Sequence, residues 1–330
     1  MLTNAMEAAD VDIISGGKGM GAVANVLLKN KLNTEALRTN ATLTHEQWIQ
    51  IDRVILQEAL RRMTGINDLI SRGLTSPGGG LGKTVHQWQD ASDTSDAEVN
   101  MDGKSRASRD RQEFDTNFLP MPIIHKNFDF SIRELAAETT QPLDTTMAET
   151  AARKVGEKLE DILFNGLSAY TFGGGTVRGY TDHADRNTVT LSQNWDASGK
   201  TGQEIVTDVL NMKQAAINDR HYGPYMLYIP TAYETVLDDS FSTQYSQSIR
   251  ERLLSISSLI DIKVSDFLSA NNVVLVSMQS DVIRLINSLD ITTVQWDTEG
   301  GMQQNFKVMA IMIPQVRSTQ ANRSGIVHLS

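Results

Sequence analysis

Cysteine is absent from this chain of 330 residues, which excludes a disulfide frame, a thiolate nucleophile and any cysteine-ligated zinc or iron–sulfur centre. Stability has to come from burial and from contacts with partners. Positive charge is also short: 30 lysines and arginines stand against 40 aspartates and glutamates, a formal net charge of −10. Proteins that grip nucleic acid tightly carry a basic stripe, so that role is disfavoured. No stretch approaches the roughly 20 apolar residues needed to span a bilayer, and the start, MLTNAMEAADVDIISGG, lacks a basic segment followed by an apolar core. These features predict a soluble protein made in the cytoplasm, with no membrane partner. The six histidines have no metal-ligand spacing; His183 and Asp185 form a crude pair that reads as a polar loop. There is no Gly-x-Ser-x-Gly elbow and no His-Glu-x-x-His. No catalytic, cofactor or metal site is predicted.

Glycine is present in clusters, and two of them imitate nucleotide-binding loops. SPGGGLGKT at 76–84 ends like a phosphate-binding loop, but counting back five from Gly82 lands on Pro77, which has no N–H to offer a phosphate. A phosphate-binding loop also opens a helix, whereas the adjoining VHQWQDASD alternates like a strand or a loop. The nearest imitation of the magnesium-binding strand, Val273 to Val276, is followed by Ser277 and Met278 instead of an aspartate. Gly17 to Ala22 matches Gly-x-Gly-x-x-Ala, yet the downstream stretch LKNKLNTEALRTNAT lacks the long helix and second buried strand of a dinucleotide fold. GGGTVRG at 173–179 has no lysine and reads as a connector. An enzyme built on residues 76–84 is the weaker alternative.

The remaining pattern is that of a mixed α+β protein, with no repeat at any fixed period. Residues 1–43 read as an arm. A first helix begins with a capping box at Thr44 and Gln47, carries Trp48, Ile51, Ile55, Ala59 and Met63 on one face, and stops at Gly65. A long two-stranded excursion comes next, from TVHQW out and back to FDFSIREL, where Phe128, Phe130 and Ile132 alternate as on a half-buried strand. TTMAETAARKVGEKLEDILFNG is a spine-like helix, with Thr146 and Glu149 as its capping box, Met147, Ala151, Val155, Leu159 and Ile162 as its buried stripe, and Gly166 as its stop. Thr201 with Glu204, and Thr231 with Glu234, predict two further capped helices around GPYMLYIP, a buried strand. IDIKV, NNVVLVSM, VIRLI and TTVQW then alternate with turns, and after Thr298 to Gly301 comes the return strand FKVMAIMIP.

The excursion separates its charges. Asp90, Asp93, Asp96, Glu98 and Asp102 come on the way out, then Lys104, Arg106, Arg109 and Arg111 on the way back. A solvated loop is the plain reading, but in an assembly such a loop finds opposite charges on a neighbour. Lys83, Trp88, Asp93, Asp96, Glu98, Asp102, Lys104, Arg106, Arg109 and Arg111 are therefore the candidate inter-subunit contacts.

This order of parts resembles an encapsulin or linocin-type shell protein, and with it the major capsid proteins of the Hong Kong 97 (HK97-like) phage fold. The resemblance is carried by LTHEQWIQID (43–52), FDFSIREL (128–135), AARKVGEKLEDILFNG (151–166), GPYMLYIPTAYETVL (223–237) and the run from Ile260 to Leu329. It implies an N-terminal arm at 1–43 and a peripheral domain at 44–65, 128–198 and 288–320. It implies an extended loop (E-loop) at 66–127 and an axial domain at 199–287 and 321–330.

The resemblance further implies a non-enzymatic structural protein that self-assembles into pentamers and hexamers of a closed icosahedral shell. Such rings join different faces of neighbouring subunits. The expected setting is a virion capsid assembled in the host cytoplasm around double-stranded DNA held by non-specific contacts. Portal, scaffolding and decoration proteins are the further candidate partners. An encapsulin-type compartment around a cargo enzyme is the alternative, although 42 residues precede the point where encapsulins begin to resemble this chain. Some capsids of this fold crosslink a loop lysine to an asparagine; Lys83 or Lys104 with Asn305 are the candidates here.

Overall fold

The computed structural model describes residues 45–97, 99, 101, 111–131, 133, 145–242, 245–319 and 321–330. Among the described residues helix makes up 29% and strand 38%, so the mixed α+β class holds. The arm at 1–43, the Thr44 cap, the burial of Trp48 and the position of Ile132 lie outside the described residues.

Helix α1, His45–Arg62, buries Ile51, Ile55 and Ala59, spaced four apart as one helical face requires. It does not run on to Gly65. The chain breaks at Met63 (φ −99°, ψ 73°) and restarts as α2, Thr64–Ser71, with Gly65 in its first turn. Gly65 marks a close approach instead of a stop: a Cβ there would lie 2.7 Å from Leu163 and 3.1 Å from Glu160.

Between α2 and the spine lie strands β1 (Thr75–Pro77), β2 (Val85–Ala91), β3 (Phe114–Pro120) and β4 (Ile124–Ser131). The spine helix α3, Thr146–Asn165, turns Ala148, Ala151, Ala152, Val155, Leu159 and Ile162 inward and ends at Gly166. Two expectations for it fail. Met147 is exposed and Ala148 takes its place, since at about 100° per residue Ala148 lies within the arc of Ala151, Val155, Leu159 and Ile162 and Met147 lies at its edge. The helix also starts one residue earlier than expected, with Thr145 as the N-cap, its side chain accepting no cap hydrogen bond and its hydroxyl donating to Glu149 (2.8 Å). Next come β5 (Leu167–Phe172) and β6 (Gly175–Val177), so 173–179 belongs to a hairpin with Gly173 and Gly174 at its turn, not to a connector. After β7 (Asn187–Val189), helix α4, Gly202–Asn218, has the expected Thr201–Glu204 capping box.

The second half adds β8 (Tyr225–Pro230), the short helix α5 (Glu234–Leu237), β9 (Ser240–Ser242), β10 (Tyr245–Ser248), α6 (Ile249–Leu254), β11 (Leu259–Ser265) and β12 (Val273–Ser277). The Thr231–Glu234 box does not form, since Pro230 caps a 3-10 turn there and Glu234 pairs with Arg250 at 2.8 Å. A Ser248–Glu251 box, unforeseen, caps α6. VIRLI and TTVQW fuse into one strand, β13 (Ile283–Thr298), with two register shifts between Asn287 and Thr292; it pairs with β14 (Gln303–Val316) in the long hairpin. Strand β15, Ile326–Leu329, closes the chain.

Two sheets organise these parts: a four-stranded one in the order β1–β13–β14–β4 and a five-stranded one in the order β11–β8–β12–β15–β7. α1 and α3 lie against the first, where Phe306 stacks on Phe128 at 5.0 Å and meets Phe130 edge-on at 5.7 Å. In β8 every residue is buried because the strand serves two cores: Tyr225, Leu227 and Ile229 face Val206, Val209 and Met212 of α4, while Met226 and Tyr228 join the core of α1 and α3. Residues 187–189, expected with the spine half, pair with β15 in the second sheet, and 283–287, expected in the axial half, run into the long hairpin.

Candidate assembly surfaces

β2 and β3 form an antiparallel ribbon paired from Val85–Pro120 to Ala91–Phe114, so the excursion returns through Phe114–Pro120 and not, as expected, through FDFSIREL, whose strand β4 pairs with β14 instead. Its base leaves the body through Gly79 (φ +99°) and Gly80 (φ +85°), angles that other residues adopt only with strain. Thr84 leads into strand β2, so no helix N-terminus stands behind Lys83 to hold a phosphate, and the phosphate-binding reading of 76–84 fails. Lys83 is exposed, with its Nζ 3.3 Å from His86 Nδ1; burial and then the lysine charge push His86 down from its ordinary pKa.

The ribbon is fully buried only at its base, with half-buried residues alternating along β2 as far as Asp90. Leu119 and Met121 are buried with Ile162 and Ile286, while Val99 (97% exposed), Met101 (102%) and Phe114 (61%) stand in solvent. Asp93, Asp96 and Arg111 are exposed beside them; Glu98, Asp102, Lys104, Arg106 and Arg109 lie outside the described residues. Trp88 is half-buried against its own chain, its ring stacks on His86 at 6.5 Å, and its indole N–H donates to Asp90 (3.1 Å). Asn305 sits on the long hairpin and donates to Thr298 (2.8 Å). Beneath the ribbon is a cleft of about 320 Å³ lined by Trp88, Asn117, Gly175, Arg178, His183 and Gln315, among others.

At the junction of the two halves lies a buried polar cluster that no sequence motif signals. Glu160, on the spine and 1% exposed, accepts from Gly65 N–H (2.5 Å) and Ile66 N–H (3.2 Å), so a side chain 95 residues away caps α2. Burial pushes its pKa up to about 7, against those two hydrogen bonds. Asp68 of α2 is likewise raised by burial, and Tyr228 donates to it (3.1 Å). Burial raises the Tyr180 and Tyr228 hydroxyls too. A second cleft, of about 210 Å³, opens onto Glu160 between Arg61, Thr64, Ser265, Asp266 and Phe267. Among the described residues no group of acids and histidines could hold a metal ion. His183 and Asp185 lie in the loop between β6 and β7, where His183 Nδ1 accepts from Asp185 N–H (3.3 Å) and the Asp185 carboxylate takes a bond from Ser318 (2.6 Å).

Solved structures match this arrangement over most of the chain. A virus-like particle protein from Pyrococcus furiosus aligns over 87% of this chain and 99% of its own, with a TM-score of 0.61 at 18% identity. The capsid of Myoviridae phage XM1 aligns over 79% and 90%, with a TM-score of 0.63 at 10% identity. The capsid of an empty GTA particle aligns over 78% and 88%, with a TM-score of 0.55 at 11% identity. The fold is therefore the Hong Kong 97-type capsid fold. Residues 35–329 match a family of unknown function (DUF6260), and the chain belongs to that family.

Proposed function

We propose that this chain is a phage major capsid protein, which self-assembles through pentamers and hexamers into the icosahedral shell around a genome. The observation that carries the reading is the ribbon of β2 and β3: it is fully buried on its own subunit only at its base, and the chain beyond it holds Val99 and Met101 fully in solvent, within a capsid fold. Exposed apolar side chains at the end of an extended element are the signature of a surface completed by another molecule. The four-stranded sheet with α1 and α3 would serve as the peripheral domain, the five-stranded sheet with α4 and α6 as the axial domain, and the ribbon as the extended loop. Its partners would be copies of itself and, through non-specific contacts, packaged double-stranded DNA, with portal, scaffolding and decoration proteins joining in the infected cytoplasm.

A shell around a cargo enzyme is the second reading, favoured by the near-complete overlap with the Pyrococcus furiosus particle protein. Electron microscopy of the chain expressed alone and with its neighbouring genes separates the two. Closed shells that fill with DNA in the presence of a portal support the capsid reading, and shells filled with an enzyme support the second. A chain that stays monomeric under every condition would overturn both.

A further inference from the structure

We propose that Asp90 and Arg317 form a latch that sets the angle of the β2–β3 ribbon against its own subunit, and through that angle the curvature of the shell; the second clause rests on the capsid reading. Asp90 draws together both strands and the body. Its Oδ2 accepts from Trp88 Nε1–H on its own strand (3.1 Å) and from Asn117 Nδ2 on the facing strand (2.6 Å), while its Oδ1 takes Arg317 Nη2 at 3.0 Å. Arg317 follows β14 directly, and its backbone N–H is held by the Val282 carbonyl (2.8 Å) at the root of the long hairpin. The carboxylate therefore ties a ribbon that leaves through Gly79 and Gly80 to a rigid point 227 residues away.

The pair is sheltered, with Arg317 23% and Asp90 16% exposed, so solvent screens it less than a surface pair. Two features make it a latch and not a permanent clamp. The Arg317 Nε is buried without a hydrogen-bond partner, so the engaged state leaves one donor unsatisfied and an alternative position of the ribbon can compete. The cleft of about 320 Å³ between Trp88, Asn117, Gly175 and Gln315 gives the ribbon space to move into. A hinge of glycines, a sheltered charged tether and an open cleft on the same side make an element with more than one angle.

The test compares the full-length chain with Asp90→Asn, Arg317→Gln, the double variant and Arg317→Lys, after circular dichroism has checked that each is folded. Hydrogen exchange of the amides at 85–91 and 114–119 reads the ribbon. Particle diameter by electron microscopy reads the shell. Each single variant is expected to speed ribbon exchange roughly five- to tenfold, with α4 unchanged, the double variant no faster than either single, Arg317→Lys in between, and particle diameters broadened. Ribbon exchange at the wild-type rate in both singles, or effects that simply add in the double, would overturn the latch. Faster exchange with particles of unchanged diameter would overturn its role in curvature. Should the wild-type chain form no particles even with its neighbouring genes, the capsid reading fails while the exchange measurement still decides the latch.

Discussion

Replacing Glu160 by glutamine should remove one component of the protein's pH dependence and leave the rest in place. The carboxylate is held against the first turn of α2 by Gly65 and Ile66 N–H, and burial raises its pKa to about 7 from an ordinary value of 4.5. The folded chain thus keeps a proton on this group between about pH 4.5 and 7, where the unfolded chain has lost it. Stability from this group is greatest below pH 4.5, falls as pH rises through that window and is level above it, and the difference between the two pKa values corresponds to about 3 kcal/mol. Glutamine cannot titrate. Its NH₂ group faces a backbone N–H where the second carboxylate oxygen accepted one, at a pH-independent cost of about 1–3 kcal/mol. Urea unfolding of the unassembled chain, followed by circular dichroism at fixed pH values from about 4.5 to 8 with m-values compared, measures the difference between wild type and Glu160→Gln. That difference should shrink by about 3 kcal/mol from the acid to the alkaline end. A difference that stays constant, or that grows with pH, would refute the account of Glu160 as a buried acid.

His328 should behave in the opposite sense. Its Nδ1 accepts from Arg186 Nε (3.2 Å) and its Nε2 faces Asn272 Oδ1 (2.8 Å), a pattern that fits the neutral ring, and burial followed by the Arg186 charge lowers its pKa to about 4. Stability from it is complete above the ordinary value of 6.5 and is lost as pH falls toward 4, so His328→Gln should flatten the acid side of the same urea titration by about 3 kcal/mol; an unchanged acid limb counts against it. At the crossing of α1 and α3, a Cβ on Gly156 would sit 2.7 Å from the Ala59 carbonyl oxygen, a backbone atom that no rotamer change can move. Gly156→Ala should therefore lower stability by roughly 1–2 kcal/mol despite alanine's better helix propensity, and a raised thermal midpoint would show that the two helices spread freely.

Much of the fold was legible because its signals are local. The spacing of Ile51, Ile55 and Ala59, the Thr201–Glu204 box and the unbroken apolar run of β8 each depend on residues within a turn or a pleat of one another. The same reasoning failed where a distant residue changed the local balance. Thr146–Glu149 has the letters of a capping box, yet the helix begins a residue earlier. Gly65 looked like a stop until a carboxylate from the spine supplied the cap that Met63 lacks.

The sequence by itself determined that the chain has no thiol chemistry, that Ile51–Ala59, the spine and Gly202–Asn218 coil as helices while Tyr225–Pro230 and the long hairpin run as strands, and where glycines let the chain leave the body. Only the tertiary structure decided that β8 shares its two faces between two cores, that Glu160 caps a helix 95 residues before it, and that Arg317 ties down a ribbon 227 residues earlier. The physical reason is the range of the interactions: periodicity, caps and turns act over a few residues and leave their pattern in the order of letters. A buried carboxylate instead takes whichever donors the folded path brings within hydrogen-bond reach, and nothing in the order of the letters records that path.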